Sequence, residues 1–376
     1  MTVRDIIQNN PYRVMGVFTN DSSATLASNK SRMKAFAAIG KSISYPQDMA
    51  IVFGSSPERD AAALSSSVAA IASPMERLKH GLFWFMSSTD TDAKALAALA
   101  QTGNMLKARK IWEEGEQNMS SLQNQLVCCL LMDSRSYSKA IQTAWNLYSQ
   151  YGHEYIKTIS NGFDVIAPGD LMSTFLSQIV RYSDGKFQIW DKAIIRCGNS
   201  FIEQCWSEAK AEYSIHKLQN ALNVAKTTEI HSDKDNFDIA ERLMHQAEPH
   251  LKIVKDLMEK HPSMLSRYTT IADAVCEEIL NREIAYYNRV TWKERKNKKL
   301  LALDQFCYRY AATVRFKERC KSSINITLGR SENAPLFPNG TPDKLIFESE
   351  RRKRNNGLCA IVMGLQVCKT ASGKSC

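Results

Sequence analysis

Proline and glycine are scarce in this chain, 10 and 16 among 376 residues, and most of them fall between stretches of helical apolar spacing. That scarcity favours helices. Long apolar runs are missing as well. None approaches the roughly 18 residues that suggest a membrane span, and the longest, "GLCAIVMGLQVC" at 357–368, reads as a short buried or interfacial segment. The N-terminus, "MTVRDIIQNNPYRVMG", lacks the charged-then-apolar order of a secretory leader. The chain is therefore expected to be cytoplasmic. Ten cysteines, at 128, 129, 197, 205, 276, 307, 320, 359, 368 and 376, form no C-x-x-C pair and no His/Cys cluster with zinc-ligand spacing. They are expected to be reduced thiols, several of them packed in helices.

Catalytic signatures are absent too. There is no glycine-rich phosphate loop, no G-x-S-x-G elbow and no H-E-x-x-H. His245 and His250 stand five apart, whereas a metal pair on one helix face wants three or four. Glu113-Glu114 and Glu277-Glu278 are adjacent pairs that diverge around a helix, which suits solvation better than acid–base work. Cys128-Cys129, inside "QLVCCLLM", read as small core residues. The expectation is a protein that is not an enzyme, with no catalytic residue, no metal and no cofactor.

What the chain does have is helical periodicity. Hydrophobic residues at 44% and charged residues at 23% suit a globular protein of two or three domains. Asp21 or Ser22 caps a helix that runs to about Ile39, with Leu26, Met33, Phe36 and Ala37 on one face and Gly40 beyond its end. Residues 42–55 have no helical period and read as a loop. Ser56 and Pro57 are expected to open the next helix, striped by Ala61, Leu64, Val68 and Ile71. Ser73-Pro74-Met75-Glu76 opens another, expected to carry Leu78, Leu82, Phe83 and Phe85. From Asp92 two antiparallel helix pairs follow, with turns at Gly103-Asn104 and Asp133-Ser134. Lys107-Ala108 and Lys139-Ala140 repeat at an offset of 32 residues, close to the period of about 34 in tetratricopeptide-like pairs. Further helices are predicted at roughly 170–182, 187–226, 235–260 (with a kink or break at Pro249), 263–288 and 297–328. A Pro/Gly/Asn-rich linker and a basic tail come last.

The net charge of +10 is uneven. Residues 1–290 hold 31 Lys+Arg against 32 Asp+Glu, and residues 291–376 hold 18 against 7. Lys293, Arg295, Lys296, Lys298 and Lys299, with Arg351, Arg352, Lys353 and Arg354, are a candidate patch for nucleic acid or an acidic membrane, with Trp292, Tyr308, Tyr310 and Phe316 nearby. A solvated helix face followed by a basic tail is the plainer reading of the same runs.

One loop stands out: Tyr45-Pro46-Gln47-Asp48, flanked by Lys30, Arg32, Lys34 and Lys41 on and just after the preceding helix. Upstream, "NPYRVMGV" resembles the Asp-Tyr-Tyr-x-x-Leu-Gly-Val opening of J-domains, the DnaJ-type co-chaperone module. Downstream, "AAIASPMERLKHGLFWF" resembles the J-domain end, with Pro74 and Arg77 at the spacing of L-x-D-P-x-x-R. The likeness covers residues 8–86. A similarity to bacterial DnaJ-like proteins that pair an N-P-Y-R-x-L-G-V opening with a helical repeat region extends to about residue 328. In working J-domains the loop reads His-Pro-Asp, and its histidine and aspartate engage a DnaK-type ATPase. Here Tyr45 replaces the histidine, and Gln47 is inserted before Asp48. A phenol lacks imidazole's two nitrogens, and one extra residue displaces the carboxylate by roughly 3.3 Å in an extended loop.

The resemblance implies an all-α protein: a J-like domain at 1–90, helical pairs at 91–330, and a linker with basic tail at 331–376. It implies a non-enzymatic DnaJ-like adaptor with a DnaK-type ATPase and a client protein as partners. Tyr45, Pro46 and Asp48 would form the docking loop, and Lys30, Arg32, Lys34 and Lys41 a basic docking face. The plainer reading of the loop is structural: Pro46 stiffens it, Asp48 caps the following turn, and Tyr45 packs beside Ile43 or Met49.

Overall fold

The computed structural model describes residues 2–260, 265–289 and 298–328. Among them every regular element is helical, so the fold is all-α. The helix starts follow from side-chain caps that satisfy orphan backbone N–H groups. Helix α1 (Val3–Gln8) opens on a reciprocal box between Thr2 and Asp5. The single turn α2 (Pro11–Val14) has Pro11 in its first position and Asn10 as cap. Helix α3 (Ser23–Ala38) begins where predicted: Ser22 Oγ accepts from Thr25 N at 3.1 Å, and Gly40 follows the end at φ +68°. Its expected apolar face is only partly realised. Met33 is buried and Leu26 and Phe36 are half-buried, but Ala37 is exposed, and Asn29 is the other buried residue.

Residues 42–55 are more structured than predicted. They hold a 3₁₀ turn at Pro46–Asp48 and a single turn α4 (Ala50–Phe53), joined by Met49 at φ +46°. Elements this short leave no period to detect. The next helix opens at Asp60 rather than Ser56-Pro57: α5 (Ala61–Ala70) is capped by Asp60 Oδ1, which accepts from Ala63 N at 2.7 Å. Arg59 is drawn into a buried cluster described below, and that holds the residues before Asp60 out of the helix. Helix α6 (Pro74–Gly81) starts at Ser73 as predicted but stops early, so Leu82, Phe83 and Phe85 lie beyond it.

The two helix pairs are present: α7 (Asp90–Thr102) with α8 (Met105–Glu114), and α9 (Met119–Leu131) with α10 (Tyr137–Ile159). Ala108 and Ala140, the residues aligned by the 32-residue offset, are both fully buried. Helices α11 (Leu171–Ser183), α12 (Gln188–Cys197) and α13 (Ser200–Thr227) follow. The single helix predicted at 187–226 is thus interrupted, at Gly198 with φ +61°.

Contacts divide the chain into two units, residues 1–209 and 210–376, with the boundary inside α13. The first 90 residues are therefore not a unit apart from the helical pairs. Within unit one, α1 packs on α9 and α11, α4 on α7, and α6 on α10. Every residue of α9 is buried. It serves as a clasp for the segment after α6, where Phe83, Trp84, Phe85 and Met86 cross the interior beyond the last i→i−3 bonds, from Phe83 N and Trp84 N. Backbone that is buried in this way needs other partners. Gln123 Nε2 reaches the carbonyls of Gly81 (3.1 Å), Leu82 (3.3 Å) and Trp84 (2.7 Å), while Tyr155 donates to Gln123 Oε1 at 2.9 Å. Asn124 accepts from Met86 N at 2.8 Å and donates back to Met86 O at 2.9 Å. The fully buried Asp92 completes the network, accepting from Trp112 Nε1, Asn124 Nδ2 and Ser120 Oγ.

Unit two contains α14 (Asp233–Lys260), α15 (Leu265–Arg289), α16 (Lys298–Tyr310) and α17 (Val314–Thr327). Leu243, Leu251, Val254, Val275, Ile279, Leu303 and Phe306 form its core. Pro249 lies inside α14 without ending it. The helix predicted at 297–328 is two helices, because Asp273 takes the N–H groups of Ala312 (2.7 Å) and Thr313, and Thr313 caps α17. The linker and tail at 331–376 lie outside the described residues. Seven cysteines are described, all as free thiols, and Cys128 and Cys129 are fully buried as the sequence suggested. Burial pushes the Cys205 thiol up to about 11 and Cys128 higher still.

Candidate functional site

The loop of interest sits between α3 and α5. Asp48 is 2% exposed. Its carboxylate is held end-on by Arg59: Nη2 donates to Oδ1, and Nη1 donates to Oδ2 at 3.0 Å. Oδ2 also accepts from Tyr45 N at 3.2 Å, which closes the 3₁₀ turn on itself. The same arginine reaches three carbonyls, those of Val14 (2.8 Å), Ile43 (2.9 Å) and Arg13 (3.2 Å). A second buried arginine, Arg13, donates from Nε to Asp48 O at 2.9 Å, from Nη1 to Gln8 O at 2.8 Å, and from Nη2 to Ser55 O. Its guanidinium lies 4.4 Å from the Phe53 ring centre. Burial, with Arg59 as a like-charged neighbour, pulls Arg13 down to about 10, and Asp48 opposes that shift.

This arrangement is chemistry turned inward. Arg59 takes the Asp48 carboxylate and Arg13 the Asp48 backbone carbonyl, and both spend their remaining donors on other backbone carbonyls, as buried charges require. The Asp48 carboxylate is therefore not presented to a partner, which corrects its expected place in a docking loop. The plainer expectation, a cap on the following turn, is not met either: Asp48 closes its own 3₁₀ turn on Tyr45 N, and α4 starts after Met49 without a side-chain cap. Arg13 and Arg59 were not singled out by sequence reasoning. A buried arginine carries no local mark that separates it from a surface one, and the only available signal was the position of Arg13 within "NPYR".

Tyr45 is half-buried. Its ring lies against Gly16: a Cβ built there would come within 2.6 Å of ring carbons, and φ at Gly16 is +62°. Arg59 and Arg32 lie 5.0 and 5.9 Å from the ring centre. Burial raises the Tyr45 phenol, with both arginines pulling the other way. Pro46 is exposed. The structure thus brings Tyr45 and Asp48 together in one clamped turn and leaves Pro46 at its surface.

The basic residues of α3 behave in the opposite way. Arg32, Lys34 and Lys41 are exposed and Lys30 is half-buried. The helix contains no acidic residue, and none of the four cations forms an ion pair among the described residues. Elsewhere on the chain, exposed cations do find acids: Lys139 pairs with Glu113, Arg267 with Glu212, and Arg319 with Glu277.

Of the C-terminal basic patch, only Lys298 and Lys299 are described. Lys299 bonds Glu241 at 2.7 Å, so it is engaged within unit two, whereas Lys298 is exposed. Lys293, Arg295, Lys296, Arg351, Arg352, Lys353 and Arg354 lie outside the described residues, as does Trp292. Of the neighbouring aromatics, Tyr310 belongs to the core, and Tyr308 and Phe316 pack partly buried against it. These three are not displayed for stacking on bases.

Among the described residues no group of three His, Cys, Asp or Glu side chains could hold a metal ion, and no helix is long and apolar enough to cross a membrane. No protein-family model, no curated protein and no solved structure matches the chain.

Proposed function

We propose that this protein is a non-enzymatic, DnaJ-like interaction adaptor that docks an acidic protein surface through α3. The partner would be a DnaK-type ATPase, and the helical region would hold a client protein. The observation that carries this reading is the set of cations on and just after α3, Lys30, Arg32, Lys34 and Lys41, with no acid on the helix and no ion pair to any of them among the described residues. Unneutralised charge of one sign on a rigid helix favours encounter with a surface of the opposite sign. The neighbouring loop supports the reading in a different manner from a His-Pro-Asp loop. Asp48 and Arg59 fix the connection between α3 and α5, and the face that meets the partner is the helix itself.

The test is single-turnover ATP hydrolysis by a DnaK-type chaperone, with and without the protein. Stimulation is expected, and Lys30→Glu/Arg32→Glu/Lys34→Glu should reduce it by about tenfold or more, a loss of about 1.4 kcal/mol. Stimulation that is absent at saturating protein, or indifferent to this triple charge reversal, would overturn the proposal.

A further inference from the structure

Between α3 and α5 runs a groove of about 630 Å³. Its floor is apolar and small: Ala37 and Ala38 from α3, and Ala61, Leu64 and Val68 from α5. Leu64 is 3% exposed, Val68 is half-buried, and the three alanines are open to solvent. Just past Ala38, Ile39 is 64% exposed at the end of α3. Along one rim stand Lys30 and Lys34, four residues apart and so one above the other on the same helix face. The only acid at the groove is Asp60, whose Oδ1 is already bound to Ala63 N. Helix α5 itself carries no charged residue.

We infer that this groove receives an amphipathic helix from a partner protein, apolar residues down and acidic residues toward Lys30 and Lys34. Both walls are helices, and a third helix laid between them packs by the same ridges-into-grooves rule that builds bundles. Alanine at Ala37, Ala38 and Ala61 permits close approach of the incoming backbone, while Leu64 and Val68 offer apolar contact to residues spaced at i, i+3 and i+4. The two lysines sit one turn apart and match carboxylates one turn apart. Charge decides the occupant's sign, because the lysine rim lacks ion pairs among the described residues and α3 lacks acids. This inference rests on the adaptor reading, which it deepens by giving the form of the partner's contact.

The probe is a labelled 16-residue peptide, the length of α3, with leucine at alternating third and fourth positions and glutamate on the flanks of that stripe. It is titrated against the full chain by fluorescence anisotropy. Saturable binding is expected. Ser65→Trp, which places an indole in the groove from an exposed position, should weaken it by about tenfold or more. Ala38→Trp does the same from the other wall, so one variant with lost helix content leaves the other to decide. Lys30→Glu/Lys34→Glu should also weaken binding, and a lysine-flanked version of the peptide should not bind.

The proposal is overturned if the peptide fails to bind, or if both tryptophan variants bind it as tightly as the parent. It is equally overturned if vesicles of phosphatidylcholine with phosphatidylserine bind at the groove and the peptide does not. Failure of the peptide alongside charge-sensitive stimulation of the ATPase removes the groove and leaves the adaptor reading standing. Peptide binding without any ATPase stimulation does the reverse: it upholds the groove's helix and removes the DnaK-type partner.

Discussion

Replacing Asp48 by asparagine keeps the side chain's shape and removes the charge that Arg59 binds and that acts electrostatically on Arg13. Both guanidiniums then stay buried around a neutral amide. Breaking a buried pair from one side costs about 3–5 kcal/mol, whereas a change at an exposed residue usually stays within about 0.5 kcal/mol. Asp48→Asn is expected to lose about 3 kcal/mol in chemical denaturation, and a loss below about 1 kcal/mol would contradict the buried clamp. Any effect of this variant on a partner's ATPase must be read after that loss has been allowed for. His80 gives a second test at this scale. Burial lowers its pKa below the ordinary 6.5, helped by Lys79 and Arg181 and opposed by Glu76. The unfolded chain then binds the proton more readily than the folded one, so this histidine's contribution is present above pH 6.5 and is lost as pH falls through the folded value. Stability should therefore drop between pH 7 and pH 5 more steeply in the parent than in His80→Gln, as compared by thermal melts at matched ionic strength.

At the scale of elements, the helix beginnings were legible because capping is local. Ser22 and Ser73 each name their helix within four residues of sequence, and the observed starts agree. The start of α5 was misplaced because Ser56-Pro57 is an equally good local signal, and only the burial of Arg59 decides against it. The Asp48–Arg59 pair itself joins residues 11 apart with no periodic cue. The early stop of α6 has the same character. Nothing near Gly81 says that Gln123 and Asn124 will serve the next carbonyls, or that Ile159 will press so close that a Cβ on Gly81 would meet it at 2.5 Å. That clasp predicts the behaviour of Gln123→Leu. The substitution retains bulk, strips the donors from the carbonyls of Gly81, Leu82 and Trp84, and removes the acceptor for Tyr155. About 2–3 kcal/mol of stability should be lost. Hydrogen exchange should show the 82–86 segment opening before the rest of unit one, whereas uniform protection would argue against a clasp.

For the molecule as a whole, composition and periodicity were enough to read an all-α chain, and they were not enough to divide it. The boundary expected after residue 90 follows a change of texture near Asp92, yet α1, α4 and α6 bury their inner faces on α9, α11, α7 and α10. Such contacts join residues far apart in sequence, and no window of 20 residues contains both partners. A fragment of residues 1–90 is accordingly expected to lack a cooperative unfolding transition. A sharp thermal melt of that fragment, with native-like near-ultraviolet dichroism, would show that the division after residue 90 was right after all.

The clasp around Phe83-Trp84-Phe85 also has a history during synthesis. Gln123 and Asn124, which serve the backbone of Gly81, Leu82, Trp84 and Met86, lie 38 to 42 residues further along the chain. At about 5–20 residues per second, some 2–8 seconds pass between translation of the aromatic segment and translation of its cover. Tyr155, which orients Gln123, comes later still. Throughout that interval the carbonyls of Leu82, Trp84 and Met86 lack their native side-chain donors, while Phe83 O, Trp84 Nε1 and Phe85 O already have theirs in Asn10, Val17 and Thr19. The nascent chain thus carries its own exposed, aggregation-prone stretch, and its yield will depend on how quickly α9 arrives to close it.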